Sequence, residues 1–319
     1  MTATRCTKFK LNTGAEIPAL GFGTWQDEGA QYEACLKALQ VGYRHIDTAR
    51  VYGTEAAVGR AIRDSGIPRK EIFVTTKLWN TDHHPDDVEV SLDASLKDLG
   101  VDYVDLYLLH WPVAFQRGGQ SPFPVDDKGK IIHENIDYVD TYKALEKLFV
   151  TGKTKAIGIS NFSRAELDRL LEKTDVVPAV HQMELHPWLQ QTSFHEFNTS
   201  KGINVTQYSS LGNQNEIYSL GMTTPTPRLI EDPTLVEVGK KYGKTAAQVA
   251  LAWGIAHGRS VLVKSKTPLR IEENLQGDFA LDAEDVAKLD KIDKKLRFGD
   301  PSNVFGCNLF SDLDGKNKN

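Results

Sequence analysis

Short apolar runs alternate with stretches of helical periodicity along most of this chain. The apolar runs have strand length and few polar positions, which is typical of parallel strands buried on both faces. They are Ala19–Gly23, His45–Asp47, Ile72–Lys77, Leu106–His110, Ala156–Ile159, Ala179–His181, Val205–Gln207 and Val261–Val263. The helical stretches are Tyr32–Gln40, Thr54–Ser65, Asp86–Leu99, Ile136–Val150, Arg164–Glu172, Thr192–Lys201 and Ala246–His257.

This order of elements predicts a closed (β/α)8 TIM barrel of the α/β class, in which each helix connects two parallel strands. We expect a single domain over residues 1–319. Two Rossmann-type domains are the alternative, but Gly21-Phe22-Gly23 lacks the third glycine of the dinucleotide fingerprint. The single barrel is therefore favoured.

Other segments are predicted to lie outside the barrel wall. Phe9–Leu11 and Glu16–Pro18 flank a turn sequence, so we expect an N-terminal β-hairpin that closes the bottom of the barrel. Three further segments exceed normal loop length, and such loops are usually functional or disordered. They run from Pro112 to about Asn135, from Ser209 to about Asp232, and from Leu296 to Asn319 as a long C-terminal loop.

Several predicted strands end in a side chain suited to chemistry. Asp47, Lys77 and His110 each end a strand, and Tyr52 follows closely after the first of them. The carboxyl ends of barrel strands form one rim, which is where active sites of such barrels lie. For each residue alone, a structural ion pair or a buried core histidine is the simpler interpretation. Together on one rim, they predict proton-transfer chemistry.

Tyr52 is the predicted proton donor of this group. A free tyrosine titrates near pH 10, and a neighbouring ammonium favours the phenolate. We therefore expect Lys77 to lower the pKa of Tyr52 to about 7–8 by ~3–4 kcal/mol of differential stabilisation. Asp47 would keep Lys77 charged, and His110 would hydrogen-bond a bound oxygen.

Polar side chains at the later strand ends suggest a ligand site. Ser160, Asn161 and Gln182 offer hydroxyl and amide groups that can hold a carboxamide such as nicotinamide. Tyr208 offers a flat ring for stacking. Ordinary loop capping remains the alternative for each of them alone.

A cluster of cations follows the last predicted strand. Lys264, Ser265, Lys266 and Arg270 lead into a helix. Cations and hydroxyls at a helix start favour a phosphate site, and barrels often bind phosphate after their final strands. A solvated basic loop is the alternative.

Aromatic residues crowd the same loops, and an apolar lining with few polar groups is typical of a small-molecule pocket. The residues expected to contact substrate are Trp25, Trp79, His110, Trp111, Phe115, Phe123 and Cys307. The C-terminal segment around Asn303, Cys307, Leu309 and Phe310 is expected to decide which substrate is accepted. No metal is assigned, because His83-His84 with Asp82, and Glu184 with His186, lack a metal-ligand spacing.

Composition narrows the class of partners. The formal net charge of −5 and the lack of a basic run argue against nucleic acid, and no apolar stretch is long enough for a membrane span. Cys6, Cys35 and Cys307 are scattered and odd in number, so we expect free thiols in the cytoplasm. The first twenty residues have no apolar core, which argues against a secretory signal.

Several long motifs, in this order, resemble those of the aldo-keto reductases over nearly the whole chain. They are Gly42–Ala49 with Tyr52, Lys77–Trp79, Asp102–Pro112, Gly158–Phe162, and Lys264 through Arg270 to Asn274. The resemblance implies a barrel that binds NADPH without a Rossmann domain and reduces aldehydes and ketones to alcohols. The loops resemble those of fungal NADP-dependent glycerol dehydrogenases and aldehyde reductases in particular.

The resemblance also implies roles for individual residues. Tyr52 would donate the proton, Lys77 and Asp47 would adjust the pKa of Tyr52, and His110 would orient the carbonyl. The implied NADPH/NADP+ contacts are Gly23, Thr24, Trp25, Asp47, Ser160, Asn161, Gln182, Tyr208, Ser209, Leu211, Asn213, Lys264, Ser265, Arg270, Glu273 and Asn274. Among these, the carboxamide would be held by Ser160, Asn161 and Gln182, the ring by Tyr208, the 2′-phosphate by Lys264, Ser265 and Arg270, and the adenine by Glu273 and Asn274.

The chain departs from the family pattern in two loops. Ser210 stands where members often carry proline. Gln26 and Asn215 stand where a lysine–aspartate bridge often clamps the cofactor under a belt loop, although Glu216 could substitute. We therefore expect a belt that opens readily, so that NADP+ release limits turnover less than in clamped relatives.

Two other functions remain open from the sequence. One is an NADP-dependent polyol dehydrogenase of the glycerol type that works mainly in the oxidative direction. The other is a non-catalytic barrel relative, either channel-associated or structural, although the intact catalytic set argues against it. The expected partner is a small carbonyl or polyol substrate, and the expected state is a monomer or weak dimer.

Overall fold

The structure is a computed structural model that describes residues 6–214 and 227–315. Its strands begin with an antiparallel pair, β1 (Lys8–Lys10) and β2 (Glu16–Pro18). The strands that follow are β3 (Leu20–Gly23), β4 (His45–Asp47), β5 (Phe73–Leu78), β6 (Leu106–Leu109), β7 (Ile157–Ser160), β8 (Val180–Glu184), β9 (Asn204–Tyr208) and β10 (Ser260–Val263). They form a closed parallel barrel in the order β10-β3-β4-β5-β6-β7-β8-β9. The predicted (β/α)8 barrel is confirmed.

Helices follow the strands around the outside of the barrel. They are α1 (Gln31–Val41), α2 (Glu55–Asp64), α3 (Pro85–Leu99), α4 (Tyr138–Thr151), α5 (Arg164–Lys173), α6 (Thr192–Ser200), α7 (Pro233–Tyr242), α8 (Ala246–Ala256), α9 (Pro268–Leu275), α10 (Ala283–Leu289) and α11 (Ser302–Phe305). Local sequence sets several of their starts. Ser163 and Thr245 form capping boxes with Glu166 and Gln248, which satisfy otherwise unpaired N–H groups at the starts of α5 and α8.

The N-terminal hairpin covers the bottom of the barrel, as predicted. Leu11 and Ile17 are buried against Leu106, Leu108 and Val180, which lie on the barrel strands. Burial of these apolar side chains closes the barrel end opposite to the carboxyl rim. The rim is left as the end of the barrel where a ligand site can form.

The C-terminal segment is fixed to the rim by directional hydrogen bonds. Glu184, at the end of β8, is fully buried and accepts the backbone N–H groups of Phe298 and Gly299 at 2.7 Å each. Asp312 accepts the N–H groups of Arg164 and Ala165 at the start of α5. These contacts hold the C-terminal loop against the barrel.

Three details differ from the sequence-based expectations. The long loop after β6 is folded on itself, with antiparallel bridges from Phe115 to His133 and from Val125 to Ile131. The C-terminal loop contains the short helix α11. Two helices, α7 and α10, were absent from the predicted set. Part of the predicted loop from Ser209 to about Asp232 lies outside the described residues. Within the described residues, no helix is both long and apolar enough to cross a membrane.

Candidate active site

Strand register brings Asp47 and Lys77 together at the rim. Asp47, the last residue of β4, pairs with Thr75 on β5. Lys77 lies two residues beyond Thr75, and alternate residues of a strand share one face. The Nζ of Lys77 contacts Oδ1 of Asp47 at 2.6 Å, and Lys77 is completely buried. A buried charge needs a partner of this kind, because removal from water is costly.

Tyr52 completes the cluster from a short 3-10 helix directly after β4. The Nζ of Lys77 also contacts the carbonyl oxygen of Thr48 at 2.8 Å and the hydroxyl of Tyr52 at 3.5 Å. The ring of His110 stands edge-on to that of Tyr52, with centroids 5.7 Å apart. The four residues predicted as one group from the sequence are therefore adjacent in space.

The pKa of Tyr52 differs from the sequence-based expectation. Burial and the Asp47 carboxylate raise it above 10, so the predicted decrease to about 7–8 is wrong for this structure. The contact between Lys77 and the Tyr52 hydroxyl is long, and the charge of Lys77 is already paired with Asp47. Tyr52 is thus a protonated phenol at neutral pH. Burial together with Lys77 and His83 holds the pKa of His110 well below 6.5, so His110 is neutral.

The polar residues of the later strands form one network with this cluster. Asn161 donates from Nδ2 to the carbonyl oxygen of His110 at 3.1 Å and to Oγ of Ser160 at 3.0 Å. The hydroxyl of Tyr208 donates to Oδ1 of Asn161 at 2.6 Å. Gln182 donates from Nε2 to Oδ2 of Asp47 at 2.7 Å. The network spans the rim from β6 to β9 and returns to β4.

Two further residues of the expected cofactor set also have their polar groups engaged in the protein itself. Thr24 is fully buried, and both its N–H and its hydroxyl donate to the carbonyl oxygen of Asp47. Its side chain therefore has no surface for a ligand. Asn213 donates to the carbonyl oxygen of Pro227 at 3.1 Å and accepts the N–H of Leu229 at 3.3 Å. Its side chain holds together the two ends of the loop after β9.

The cations after β10 gather around one carboxylate. The Nζ atoms of Lys264 and Lys266 lie 2.5 Å and 3.0 Å from the carboxylate oxygens of Asp27, a residue that sequence reasoning did not single out. Both lysines hold the pKa of Asp27 below its usual value. Ser265 and Arg270 lie on the same loop and at the start of α9, and Arg270 is exposed. The carboxylate of Asp27 thus already occupies the predicted phosphate position.

The remaining cofactor candidates lie along the same side of the rim. Leu211 and Ser209 follow β9, and Ser209 has a positive φ of 51°. On α9, Glu273 is exposed and Asn274 is buried. Gly23 ends β3 and pairs with Asp47. Asn215 and Glu216 lie outside the described residues, so the expectation of a loosened belt stays a prediction.

An aromatic cluster forms one wall next to His110. The ring of Trp79 lies 5.2 Å from that of His110 and 5.3 Å from that of Phe123. The buried core of this wall consists of Trp79, Trp111, Phe115, Phe305, Leu309 and Phe310, with Cys307 packed against it. Burial raises the pKa of the Cys307 thiol to about 11. Trp25 lies on the loop after β3 and is 38% exposed.

The sequence analysis missed Phe305 and Asn80 near this wall, and it considered His83 only as a metal ligand. Phe305 contacts both Trp111 and Phe115 with ring centroids 5.2 and 5.0 Å away, yet its own sequence context carries no motif. Asn80 and His83 are buried just after β5. Within the described part of the chain, their side-chain nitrogen and oxygen atoms have no hydrogen-bond partner, and neither does Nδ1 of His110. Their position directly after a strand end was the available signal.

No metal centre accompanies these groups in the residues that the structure describes. No three histidine, cysteine, aspartate or glutamate side chains come together there in an arrangement that could hold an ion. Glu184 and His186 form a buried pair at 3.1 Å instead.

Comparison with known proteins gives consistent matches over most of the chain. The model of the Aldo/keto reductase family matches residues 19–294. An uncharacterised oxidoreductase of Schizosaccharomyces pombe is 46% identical over 293 residues, which cover 91% of this chain and 89% of that protein. Aldo-keto reductase family 1 member A1 of Sus scrofa is 43% identical over 295 residues, 90% of each chain. The solved structure of the aldose reductase from Schistosoma japonicum has a TM-score of 0.88 and 35% identity, covering 98% of this chain and 100% of its own.

Proposed function

Because this chain belongs to the aldo/keto reductase family, we propose that it is an NADPH-dependent enzyme that reduces aldehydes and ketones to alcohols. The observation that carries the proposal is the buried lysine between a carboxylate and a phenol. The Nζ of Lys77 contacts Asp47 at 2.6 Å and Tyr52 at 3.5 Å, beside the ring of His110. This arrangement is suited to giving a proton to an oxygen bound at the rim.

The residues around this cluster fit a nicotinamide cofactor with a 2′-phosphate. Ser160, Asn161 and Gln182 place hydroxyl and amide groups on adjacent strand ends, where register pairs Ser160 with Gln182. Tyr208 supplies a ring beside them, held by its bond to Asn161. The carboxylate of Asp27 between Lys264 and Lys266 occupies a position that suits a phosphate. The cofactor, when bound, supplies the hydride.

The protein's own residues handle the proton and the carbonyl oxygen. Tyr52 remains protonated at neutral pH because its pKa is raised, so it is available to donate from its hydroxyl. His110 is neutral, and one of its ring nitrogens can donate a hydrogen bond to the same oxygen without a charge change. Lys77 stabilises the phenolate that remains after Tyr52 has given up its proton, because a positive charge favours that form.

The aromatic wall gives the site its preference for apolar substrate groups. Trp79 is fixed by its indole N–H, which donates to the carbonyl oxygen of Pro122 at 2.7 Å. This bond ties the loop after β6 to the site. Phe305 and Phe310 reach the same wall from the C-terminal segment. Water is excluded from this side of the carbonyl, which strengthens the hydrogen bonds that orient it.

Steady-state kinetics test the proposed function. Initial rates are measured with NADPH and with NADH across aldehydes and ketones, and with NADP+ across polyols such as glycerol. The proposal expects the highest kcat/KM for an aldehyde with NADPH. Faster turnover of polyols with NADP+ at neutral pH would instead support the polyol dehydrogenase. Failure to turn over any of these substrates would contradict an enzymatic role.

Replacement of Arg270 by alanine is expected to weaken NADPH binding about 10- to 150-fold, while NADH binding changes by less than about twofold. Charge-assisted hydrogen bonds to phosphate are worth roughly 1.5–3 kcal/mol, and only NADPH carries the 2′-phosphate. Dissociation constants from cofactor fluorescence measure this directly. Arg63→Ala, at an exposed position at the end of α2, is the control. Equal losses for both cofactors would show that Arg270 does not contact the 2′-phosphate.

The pH profile follows from the pKa directions at the site. His110, with its lowered pKa, is neutral above the acidic range, and Tyr52, with its raised pKa, loses its proton only in strongly basic solution. Neither group therefore titrates near neutrality. We expect kcat/KM for an uncharged aldehyde to be level between about pH 6 and 8. A step near pH 6.5 that disappears in His110→Gln would contradict this assignment.

A further inference from the structure

We propose that Asp27 is an internal competitor for the cofactor's 2′-phosphate and so reduces the preference of this protein for NADPH over NADH. The inference rests on the proposed function, since it assumes that Lys264 contacts that phosphate. A single carboxylate on the loop after β3 bridges the two lysines that follow β10.

Barrel closure explains why residues so distant in sequence meet. Strands β3 and β10 are neighbours in the barrel, and Val263 pairs with Phe22. The loops that follow these strands must therefore emerge side by side at the rim. Asp27 then reaches Lys264 at 2.5 Å and Lys266 at 3.0 Å. The bridge thus joins the loop after β3 to the loop after β10.

The backbone holds Asp27 in position for this contact. Gln26 and Asp27 both have positive φ values, 68° and 55°, which residues other than glycine rarely adopt. The carbonyl oxygen of Gln26 accepts Nε2 of Gln31 at 2.5 Å, and that of Asp27 accepts the N–H of Ala30 at 2.8 Å. Strained conformations persist where surrounding contacts fix them, and they are frequent at functional sites.

Lys264 and Lys266 cannot bind the Asp27 carboxylate and a phosphate at full strength at the same time. Each ammonium has three donors, but Asp27 already neutralises one charge of the pair at close range. A phosphate dianion that approaches Lys264 meets the negative charge of Asp27 a few ångströms away and must displace it or share the cation. Either event lowers the gain from phosphate binding. An NADH molecule lacks the 2′-phosphate and does not meet this opposition.

The strength of this competition is set by exposure. The side chains of Asp27, Lys264 and Lys266 are 32%, 24% and 61% exposed, so the ion pairs are partly screened by solvent. Such pairs are weak enough to be exchanged for a phosphate rather than to exclude it. The expected consequence is a weaker hold on NADPH and NADP+, with faster release of both, rather than a loss of cofactor binding.

The variant Asp27→Asn removes the charge and little else. Asparagine has the same shape and is among the residues that best tolerate positive φ, so the loop is expected to keep its conformation. We expect NADPH to bind about three- to tenfold more tightly to this variant, the range for one or two partly exposed ion pairs. NADH affinity should stay within about twofold of wild type, and NADPH should dissociate more slowly in stopped-flow fluorescence.

Two further variants separate the causes. Asp93→Asn also removes a carboxylate paired with a lysine, since Asp93 contacts Lys153 at 2.6 Å, but it lies on the outer helix α3 and should leave both affinities unchanged. Lys264→Met should weaken NADPH binding much more than NADH binding. Equal losses for both cofactors in Lys264→Met would overturn the proposed phosphate site, and the competition with it.

Where Lys264→Met is selective for NADPH, the Asp27→Asn result decides the inference alone. Tighter NADPH binding with unchanged NADH binding supports competition by Asp27. Unchanged NADPH binding would overturn it. Weaker NADPH binding would also overturn it, and would show that Asp27 closes over the bound cofactor instead of opposing its phosphate.

Discussion

Replacement of Tyr52 by phenylalanine is expected to lower kcat by at least about 10²–10⁴-fold, the usual contribution of general acid catalysis. The change removes one oxygen and keeps the ring, so the ring contacts with His110 at 5.7 Å and with Nζ of Lys77 at 5.0 Å remain available. NADPH affinity should therefore change little. The measurement is kcat at saturating NADPH and aldehyde, together with the NADPH dissociation constant.

Tyr32→Phe is the matched control for this experiment. Its hydroxyl donates to Oδ2 of Asp64 at 3.0 Å, and this exposed contact joins the outer helices α1 and α2. That variant should keep the wild-type kcat. Near-normal turnover by Tyr52→Phe would show that another group gives the proton, and the assignment of Tyr52 would be wrong.

Replacement of Lys77 by methionine is expected to damage both stability and activity. Lys77 is completely buried, and its loss leaves the buried carboxylate of Asp47 with Gln182 as its side-chain donor. Removal of one partner of a buried ion pair typically costs about 3–5 kcal/mol in the free energy of unfolding. Turnover should also fall by at least about 10²-fold, because no cation remains to stabilise the Tyr52 phenolate. Urea denaturation and kcat measure the two effects.

A double variant separates the two losses. Asp47→Asn combined with Lys77→Met removes both charges, and replacement of a complete buried ion pair is often neutral for stability. We expect the double variant to recover most of the lost free energy of unfolding while kcat stays low. A Lys77→Met protein as stable as wild type would contradict the buried ion pair. Full recovery of activity in the double variant would contradict the catalytic role of the charge.

Much of the fold could be predicted because the barrel repeats one local pattern. Each buried strand carries few polar residues, and the change from apolar to polar residues marks where each strand ends. The shorter helix α10 was missed, since Ala283–Leu289 spans only seven residues and offers little periodicity. The bridges that fold the loop after β6 onto itself depend on contacts between distant residues, which no local pattern reveals.

The site was predictable in its members but not in its electrostatics. Asp47, Tyr52, Lys77 and His110 could be grouped because parallel strand ends share one rim. The direction in which the pKa of Tyr52 shifts could not be predicted from the sequence. It depends on how deeply the hydroxyl is buried and on how Lys77 divides its contacts between Asp47 and Tyr52. Asp27 was overlooked because it lies 237 residues from Lys264. Closure of the barrel between its first and last strands was the signal that could have found it.

Hydride transfer is the most direct test of the proposed activity. NADPH carrying deuterium at the transferable C4 position is oxidised by the wild-type protein with an aldehyde, and the alcohol is analysed by mass spectrometry and ¹H NMR. The account predicts one deuterium on the former carbonyl carbon for each NADPH consumed, with none at that carbon when unlabelled NADPH is used in D₂O. An alcohol without this label, or with carbon-bound deuterium taken from the solvent, would contradict it.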